Sequence, residues 1–143
     1  AKTASVLREG YFTAGDIGYL DADGYLFLSG RSAEVIISGG VNIYPQEIDD
    51  VLAQHRAVAD VACVGVPNED LGEEIKAVIE LRPGFTPDEA LSQSLADFCV
   101  ERLSKQKWPR SFDFVAALPR SEAGKVLRRA LRERYWAGRE RQI

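Results

Sequence analysis

Lys125 is the residue whose type and setting point most directly to chemistry. A turn-forming run, Pro119-Arg120-Ser121-Glu122-Ala123, ends at Gly124-Lys125, and Val126-Leu127-Arg128-Arg129 opens a stretch with helical periodicity. That order predicts Lys125 at or near a helix N-terminus. Unpaired backbone N–H groups and the helix dipole favour anions there, and an ammonium strengthens the field. A phosphate or a carboxylate suits such a place. Taken alone, Gly-Lys equally describes an exposed lysine beside a loop glycine. It is not a P-loop, which needs Gly five positions before the second Gly and Ser/Thr after the Lys; Pro119 and Val126 occupy those positions.

Other residues offer weaker signals. Asp16 follows Gly15 in a turn, where its carboxylate can accept hydrogen bonds from a ribose or cap the turn. Arg31 follows Gly30 and has a structural ion pair as its ordinary role. Gly39-Gly40 lets a backbone approach a ligand closely, or makes a plain hairpin turn. His55 is the only histidine; placed after a helix, it suits capping or solvation, and its position rules out a Ser-His-Asp arrangement. Cys63 and Cys99 lie in apolar runs and read as buried thiols. No Cys/His cluster marks a metal site. Asp21-Ala22-Asp23-Gly24 begins like a calcium loop, but Leu26 and Ser32 stand where an EF-hand needs Gly and Glu.

The elements that must position these residues are legible from periodicity. Tyr11 to Arg31 reads as short strands around turns, with a hairpin joining Ile17–Leu20 to Tyr25–Leu28 across the Asp-x-Asp-Gly turn. Glu34–Ser38 and Val41–Tyr44 flank Gly39-Gly40 as a second hairpin. Pro45 opens a helix with Ile48, Val51 and Leu52 on one face. Ala59–Val66 is a nearly continuous apolar run, expected to be a central strand. Glu74–Leu81 alternates as a half-buried strand. Thr86-Pro87-Asp88-Glu89 has the form of a capping box, and Leu91, Leu95, Phe98, Cys99 and Leu103 stripe the helix that follows. Phe112–Ala116 is a third strand, and Lys125–Trp136 a last helix. The expected fold is a small α+β domain: a three-stranded sheet with packed helices plus a two-stranded hairpin.

Charge divides the chain. Residues 1–101 hold 6 Lys/Arg against 18 Asp/Glu, and residues 102–143 hold 12 against 4. Either the basic end meets an anionic partner or it complements the chain's own acidic half. No stretch approaches the roughly 20 apolar residues of a membrane span, and the start lacks a signal-peptide pattern, so a cytoplasmic location is expected. A chain that opens on Ala1 and contains no Met is expected to be a piece of a longer protein.

The motifs, taken in order, resemble the adenylate-forming superfamily, and within it the acyl-CoA synthetases. The resemblance rests on Tyr11-Phe12-Thr13-Ala14-Gly15-Asp16-Ile17-Gly18, Asp21-x-Asp23-Gly24-Tyr25, Gly30-Arg31, Ile36-Ile37-Ser38-Gly39-Gly40-x-Asn42-Ile43-Tyr44-Pro45-x-Glu47-Ile48, Val64-Gly65-Val66-Pro67, Gly72-Glu73, Leu118-Pro119-Arg120 and Gly124-Lys125-Val126-Leu127-Arg128. It implies that residues 1–31 are the last strands of a large AMP-binding domain, and that residues 32–143 form a small mobile C-terminal lid. The implied reaction is formation of acyl-AMP from a carboxylate, here expected to be a fatty acid, and ATP with Mg²⁺, followed by transfer of the acyl group to CoA. By the same resemblance Lys125 is the catalytic lysine of adenylation, Asp16 and Arg31 bind the nucleotide, and Ser32 and Ala33 are the hinge. Gly39 and Gly40 line the pantetheine tunnel, and Lys105, Lys107 and Arg110 are candidates for the CoA phosphates. Trp108 either stacks on adenine or packs internally. The expected partners are the missing N-terminal AMP-binding domain, the carboxylate and CoA, with no nucleic acid and no membrane span; the fragment alone is expected to be inactive and to bind none of these cofactors tightly. Two alternatives are an adenylation domain loading a carrier protein and a non-catalytic anion- or nucleic-acid-binding module. Two positions depart from the family pattern: Ala33 replaces the usual Asp or Lys of the hinge, and Thr13-Ala14 lacks the usual cation and hydroxyl before Gly15-Asp16.

Overall fold

A computed structural model describes residues 34–137 in full, and the backbone of four strands before them. Those four are β1 (Leu7–Arg8), β2 (Tyr11–Phe12), β3 (Asp16–Leu20) and β4 (Leu26–Arg31). β1 pairs with β2 and β3 with β4, both antiparallel, and the second ladder places Asp16 opposite Arg31. β3 and β4 thus pair as the two strands expected on either side of the Asp-x-Asp-Gly turn, and the turn itself lies outside the described residues.

The rest forms one mixed sheet with three helices. In chain order it comprises β5 (Ile36–Ser38), β6 (Val41–Ile43), α1 (Pro45–Leu52), β7 (Val58–Asn68), β8 (Gly72–Leu81), α2 (Glu89–Arg102), a 3₁₀ turn (Lys105–Lys107), β9 (Ser111–Phe114) and α3 (Arg128–Trp136). The β5–β6 hairpin turns on Gly39 (φ 57°) and Gly40 (φ 81°). Two successive positive φ values are what a two-residue hairpin with the right-handed strand twist requires, so turn geometry alone accounts for both glycines. The hairpin does not stand apart: Ser38 pairs with Gly72 of β8, making a five-stranded sheet.

β8, not β7, is the centre of this sheet. β7 runs antiparallel along one edge of β8, while β5 and the parallel β9 share the other. The continuous apolar run in β7 arises because both of its faces are covered. Val61 and Cys63 join Ile48 and Leu52 of α1 and Leu95 and Cys99 of α2 in one cluster. Ala62, Val64 and Val66 join Val78, Leu118 and Leu131 of α3 in a second. β8 keeps the alternation expected of a half-buried strand: Ile75, Ala77 and Ile79 are buried in the first cluster, while Glu74, Lys76 and Glu80 are half-buried and Val78 alone joins the second cluster.

An apolar edge strand must satisfy its outward backbone groups, and side chains do so along β7. Asp49 Oδ1 accepts the Cys63 N–H at 2.8 Å, Arg128 Nη1 donates to the Cys63 carbonyl at 2.9 Å, and Trp136 Nε1 donates to the Gly65 carbonyl at 2.8 Å. Two helix starts differ from expectation. The cap of α2 is Asp88, whose carboxylate accepts the Leu91 N–H at 2.8 Å, rather than Thr86. α3 begins at Arg128 rather than Lys125.

Candidate functional site

Lys125 stands in the loop before α3, three residues short of the helix. Arg120 and Val126 form an isolated antiparallel bridge, and the tip between them is closed by hydrogen bonds. Gly124 N–H donates to the Ser121 carbonyl at 2.9 Å, Ser121 N–H to the Lys125 carbonyl at 2.8 Å, and Lys125 N–H to Ser121 Oγ at 3.2 Å. Gly124 has φ 86°, a conformation that disfavours a side chain. The predicted helix N-terminus at Lys125 is therefore corrected. The apolar Val126 and Leu127 extend the helical pattern in sequence, but bridge pairing with Arg120 claims Val126. The result is an exposed lysine on a closed loop, with no ion-pair partner among the described residues. Arg120 ties this loop to the sheet through Asp60 at 2.6 Å and through Glu80.

The second surface lies at the other end of β8. Gly39 N–H donates to the Leu71 carbonyl at 2.9 Å. Beside it an open cleft of about 280 Å³ is lined by residues that include Ser38, Gly39, Leu71, Lys105, Trp108 and Arg110. A Cβ on Gly39 would stand 3.2 Å from the Leu71 side chain, while one on Gly40 would meet nothing within 4 Å. Trp108 donates its indole N–H to the Leu103 carbonyl at 2.8 Å and packs against the first core cluster, so one edge of the cleft is fixed. Lys105 and Arg110 carry no ion-pair partner among the described residues. Lys107, by contrast, is neutralised by Glu47 at 2.7 Å. Glu80 lies eight positions after Gly72 along β8, about 26 Å of strand. The lysine loop and the glycine cleft thus occupy opposite ends of the sheet.

Between them runs a set of buried ion pairs. Arg128 meets Asp49 at 2.7 Å, with side chains 11% and 8% exposed, and Glu34 at 3.2 Å. Burial raises the Asp49 pKa and the Arg128 charge opposes it; burial works against the Arg128 charge, and Asp49 with Glu34 more than offsets it. Glu73, 2% exposed, accepts the Ile37 N–H at 3.0 Å and faces Arg132 at 3.3 Å. Gly65 makes room for it, since a Cβ there would collide with the Glu73 carboxylate. Lys107, Arg120, Arg128 and Arg132 are all matched to acidic residues of the first two-thirds of the chain, so much of the basic end complements the chain itself.

The family model for the AMP-binding enzyme C-terminal domain matches residues 47–125, more than half of the sequence. The chain belongs to that family. The AMP-binding C-terminal domain described here is 39% identical over 142 residues to the fatty acid–[acyl-carrier-protein] ligase ScoC of Streptomyces coeruleorubidus, covering 99% of the chain and 27% of the relative. It is 47% identical over 130 residues to the 2-succinylbenzoate–CoA ligase of Geobacillus kaustophilus, covering 91% of the chain and 26% of the relative. Among solved structures it is similar to ATP-bound MatB from Rhodopseudomonas palustris, with a TM-score of 0.86 and 36% identity over 97% of the chain and 27% of that protein. The chain spans about a quarter of the length of these relatives.

Within this AMP-binding C-terminal domain the structure brings Gly39, Lys105 and Arg110 to one cleft, puts Gly40 beside it, and sets Lys125 apart from all four. Asp16 and Arg31 face each other in register across β3 and β4, and their side chains lie outside the described residues, as do Ser32 and Ala33. Among the described residues no cluster of His, Cys, Asp and Glu could hold a metal, and no helix is long and apolar enough to cross a membrane. Both cysteines are buried, and burial raises the Cys99 pKa to about 11 and that of Cys63 well above its ordinary value, which leaves them poor nucleophiles. His55 is buried rather than solvated: Nδ1 accepts the Ala57 N–H at 3.1 Å, and Nε2 lies 3.1 Å from Ser94 Oγ. Sequence reasoning assigned no role to Glu34, Asp49 or Glu73. Asp49 had a visible signal, since Pro45, Ile48, Asp49 and Leu52 are the buried residues of α1, so the carboxylate occupies a slot in the apolar stripe.

Proposed function

We propose that this domain is the lid of an ATP-dependent carboxylate–CoA ligase, with a fatty acid as the substrate class. Residues 1–31 would be the last strands of the large AMP-binding domain, and residues 32–143 the lid. In the first step a carboxylate oxygen attacks the ATP α-phosphorus, and pyrophosphate leaves with its bond electrons. In the second the CoA thiol, losing its proton, attacks the acyl carbonyl, and AMP leaves. Lys125 stabilises the charge that moves between oxygens in the first step, which favours the transition state over the bound reactants. Asp16 accepts from the ribose hydroxyls, and Arg31 acts near the same nucleotide. Mg²⁺ would accompany the ATP phosphates. Rotation at Ser32 and Ala33 then exchanges the surfaces. Gly39 and Gly40 border the pantetheine path, while Lys105 and Arg110 face the CoA phosphates. Lys107 belongs to this group by sequence, but its bond to Glu47 leaves less of its charge for a ligand.

The observation that carries this reading is the placement of Lys125 and the Gly39–Arg110 cleft at opposite ends of β8. One fixed pose cannot bring both to a single reacting carbon, and a lid that presents each in turn can. The test supplies the full-length protein with fatty acids, ATP, Mg²⁺ and CoA. The expected products are acyl-CoA, AMP and pyrophosphate, with no acyl-AMP from the 143-residue chain alone; ADP as product, or adenylation by the isolated chain, would overturn the reading. The similarity to ScoC supports a second reading, in which a carrier protein's phosphopantetheine replaces free CoA. Offering both acceptors to the full-length protein separates them.

A further inference from the structure

Glu34 follows Ser32-Ala33 immediately in sequence. Its carboxylate accepts a hydrogen bond from Arg128 Nε at 3.2 Å. Arg128 is the first residue of α3 and lies three positions after Lys125. The guanidinium is already fixed without Glu34: Nη1 meets the Asp49 carboxylate at 2.7 Å and the Cys63 carbonyl at 2.9 Å, and Nη2 reaches Gln46 Oε1 at 3.5 Å. Arg128 is therefore a post anchored in α1 and β7, and Glu34 is a strut fastened to it. The carboxylate is the more accessible partner, with its side chain 32% exposed against 11% for Arg128, so its loss leaves the core pairs in place.

We infer that Glu34 is a positioning residue, which clamps the chain just after Ser32-Ala33 to the base of α3 and so confines rotation to those two residues and fixes where Lys125 arrives. The inference rests on the lid reading above. Ala33 has no polar group with which to hold a pose, so the adjacent carboxylate supplies the fastening. With the clamp released, the bend spreads into residues 34 and 35, and the Lys125 loop reaches the nucleotide less accurately. A misplacement of about 1 Å costs up to a hundredfold in rate.

The experiment uses the full-length protein with Glu34→Gln, Glu34→Asp and Lys125→Ala, and reads carboxylate-dependent ATP–pyrophosphate exchange. Glu34→Gln is expected to lower kcat for exchange about tenfold, leaving the KM for ATP and the melting temperature near their original values, and Glu34→Asp is expected to recover most of the loss. In the Lys125→Ala background Glu34→Gln is expected to have no further effect, because it acts through Lys125. An unchanged kcat, or an equal loss with and without Lys125, would overturn the inference. Undiminished exchange in Lys125→Ala alone would instead remove the lid reading on which it rests.

Discussion

The two ends of β8 are built differently. At the Gly72 end the glycine hairpin is joined to β8 by two backbone contacts and one side chain: Ser38 pairs with Gly72, Gly39 N–H meets the Leu71 carbonyl, and the Glu73 carboxylate accepts the Ile37 N–H. At the Glu80 end the Lys125 loop is tied by the Arg120 side chain to Asp60 and Glu80, by Leu118 and Val126 packed into the second cluster, and by its own internal turn. The first surface is an open cleft with one edge fixed by Trp108. The second is a single cation on a closed loop, suited to meeting a partner that another surface already holds. The lesson is that one rigid sheet can carry two surfaces that need never act together.

The severest way to break the comparison is to remove what both ends share. Asp49→Ala leaves Arg128 buried without its main counter-charge, and the expected loss is about 3–5 kcal/mol, read as a fall in denaturant midpoint that takes both surfaces with it. A selective break is smaller. Ala at Gly124 or at Gly40 imposes a left-handed side chain worth about 1–2 kcal/mol. Gly124→Ala should slow adenylation and spare thioester formation from supplied acyl-adenylate, and Gly40→Ala the reverse; equal loss in both assays from both variants would dissolve the distinction between the ends. Removing Lys105 or Arg110 should raise the KM for CoA about fivefold each, equivalent to about 1 kcal/mol for an exposed charge, with a smaller effect at high salt and pyrophosphate exchange unchanged. The smallest expected effect is on pH dependence. Burial first, then Arg56 and Arg102, holds the His55 pKa below 6.5. The unfolded chain therefore binds the proton first as pH falls, so the contribution to stability is complete above about 6.5 and is lost below it. The denaturant midpoint should drop between about pH 7 and pH 5, and His55→Gln should flatten that drop.

Local pattern made much of this legible. The Gly39-Gly40 turn, the stripe of α2 and the alternation of β8 were readable because each depends on neighbours a few residues away. What escaped was set by distant partners. An apolar run covered on both faces looks the same at an edge as at a centre, and the groups that satisfy the outer side of β7, on Asp49, Arg128 and Trp136, come from distant elements. Periodicity predicts a helix from Lys125 because nothing local reveals that Arg120 pairs with Val126. The buried charges of Asp49 and Glu73 become intelligible only with Arg128 and Arg132 from α3 beside them. Asp16 and Arg31, proposed to meet the nucleotide, are placed by register alone, opposite one another on β3 and β4.

On the proposed reading Lys125 serves the first half-reaction alone. The most direct measurement compares the full-length protein with its Lys125→Ala variant in two assays: carboxylate-dependent ATP–pyrophosphate exchange, and conversion of supplied acyl-adenylate with CoA into the thioester. Loss of a charge-stabilising donor of this kind costs about 3–4 kcal/mol, so exchange should fall roughly a hundred- to a thousandfold while thioester formation persists. Exchange at the original rate, or an equal collapse of both steps in a folded variant, would contradict the account.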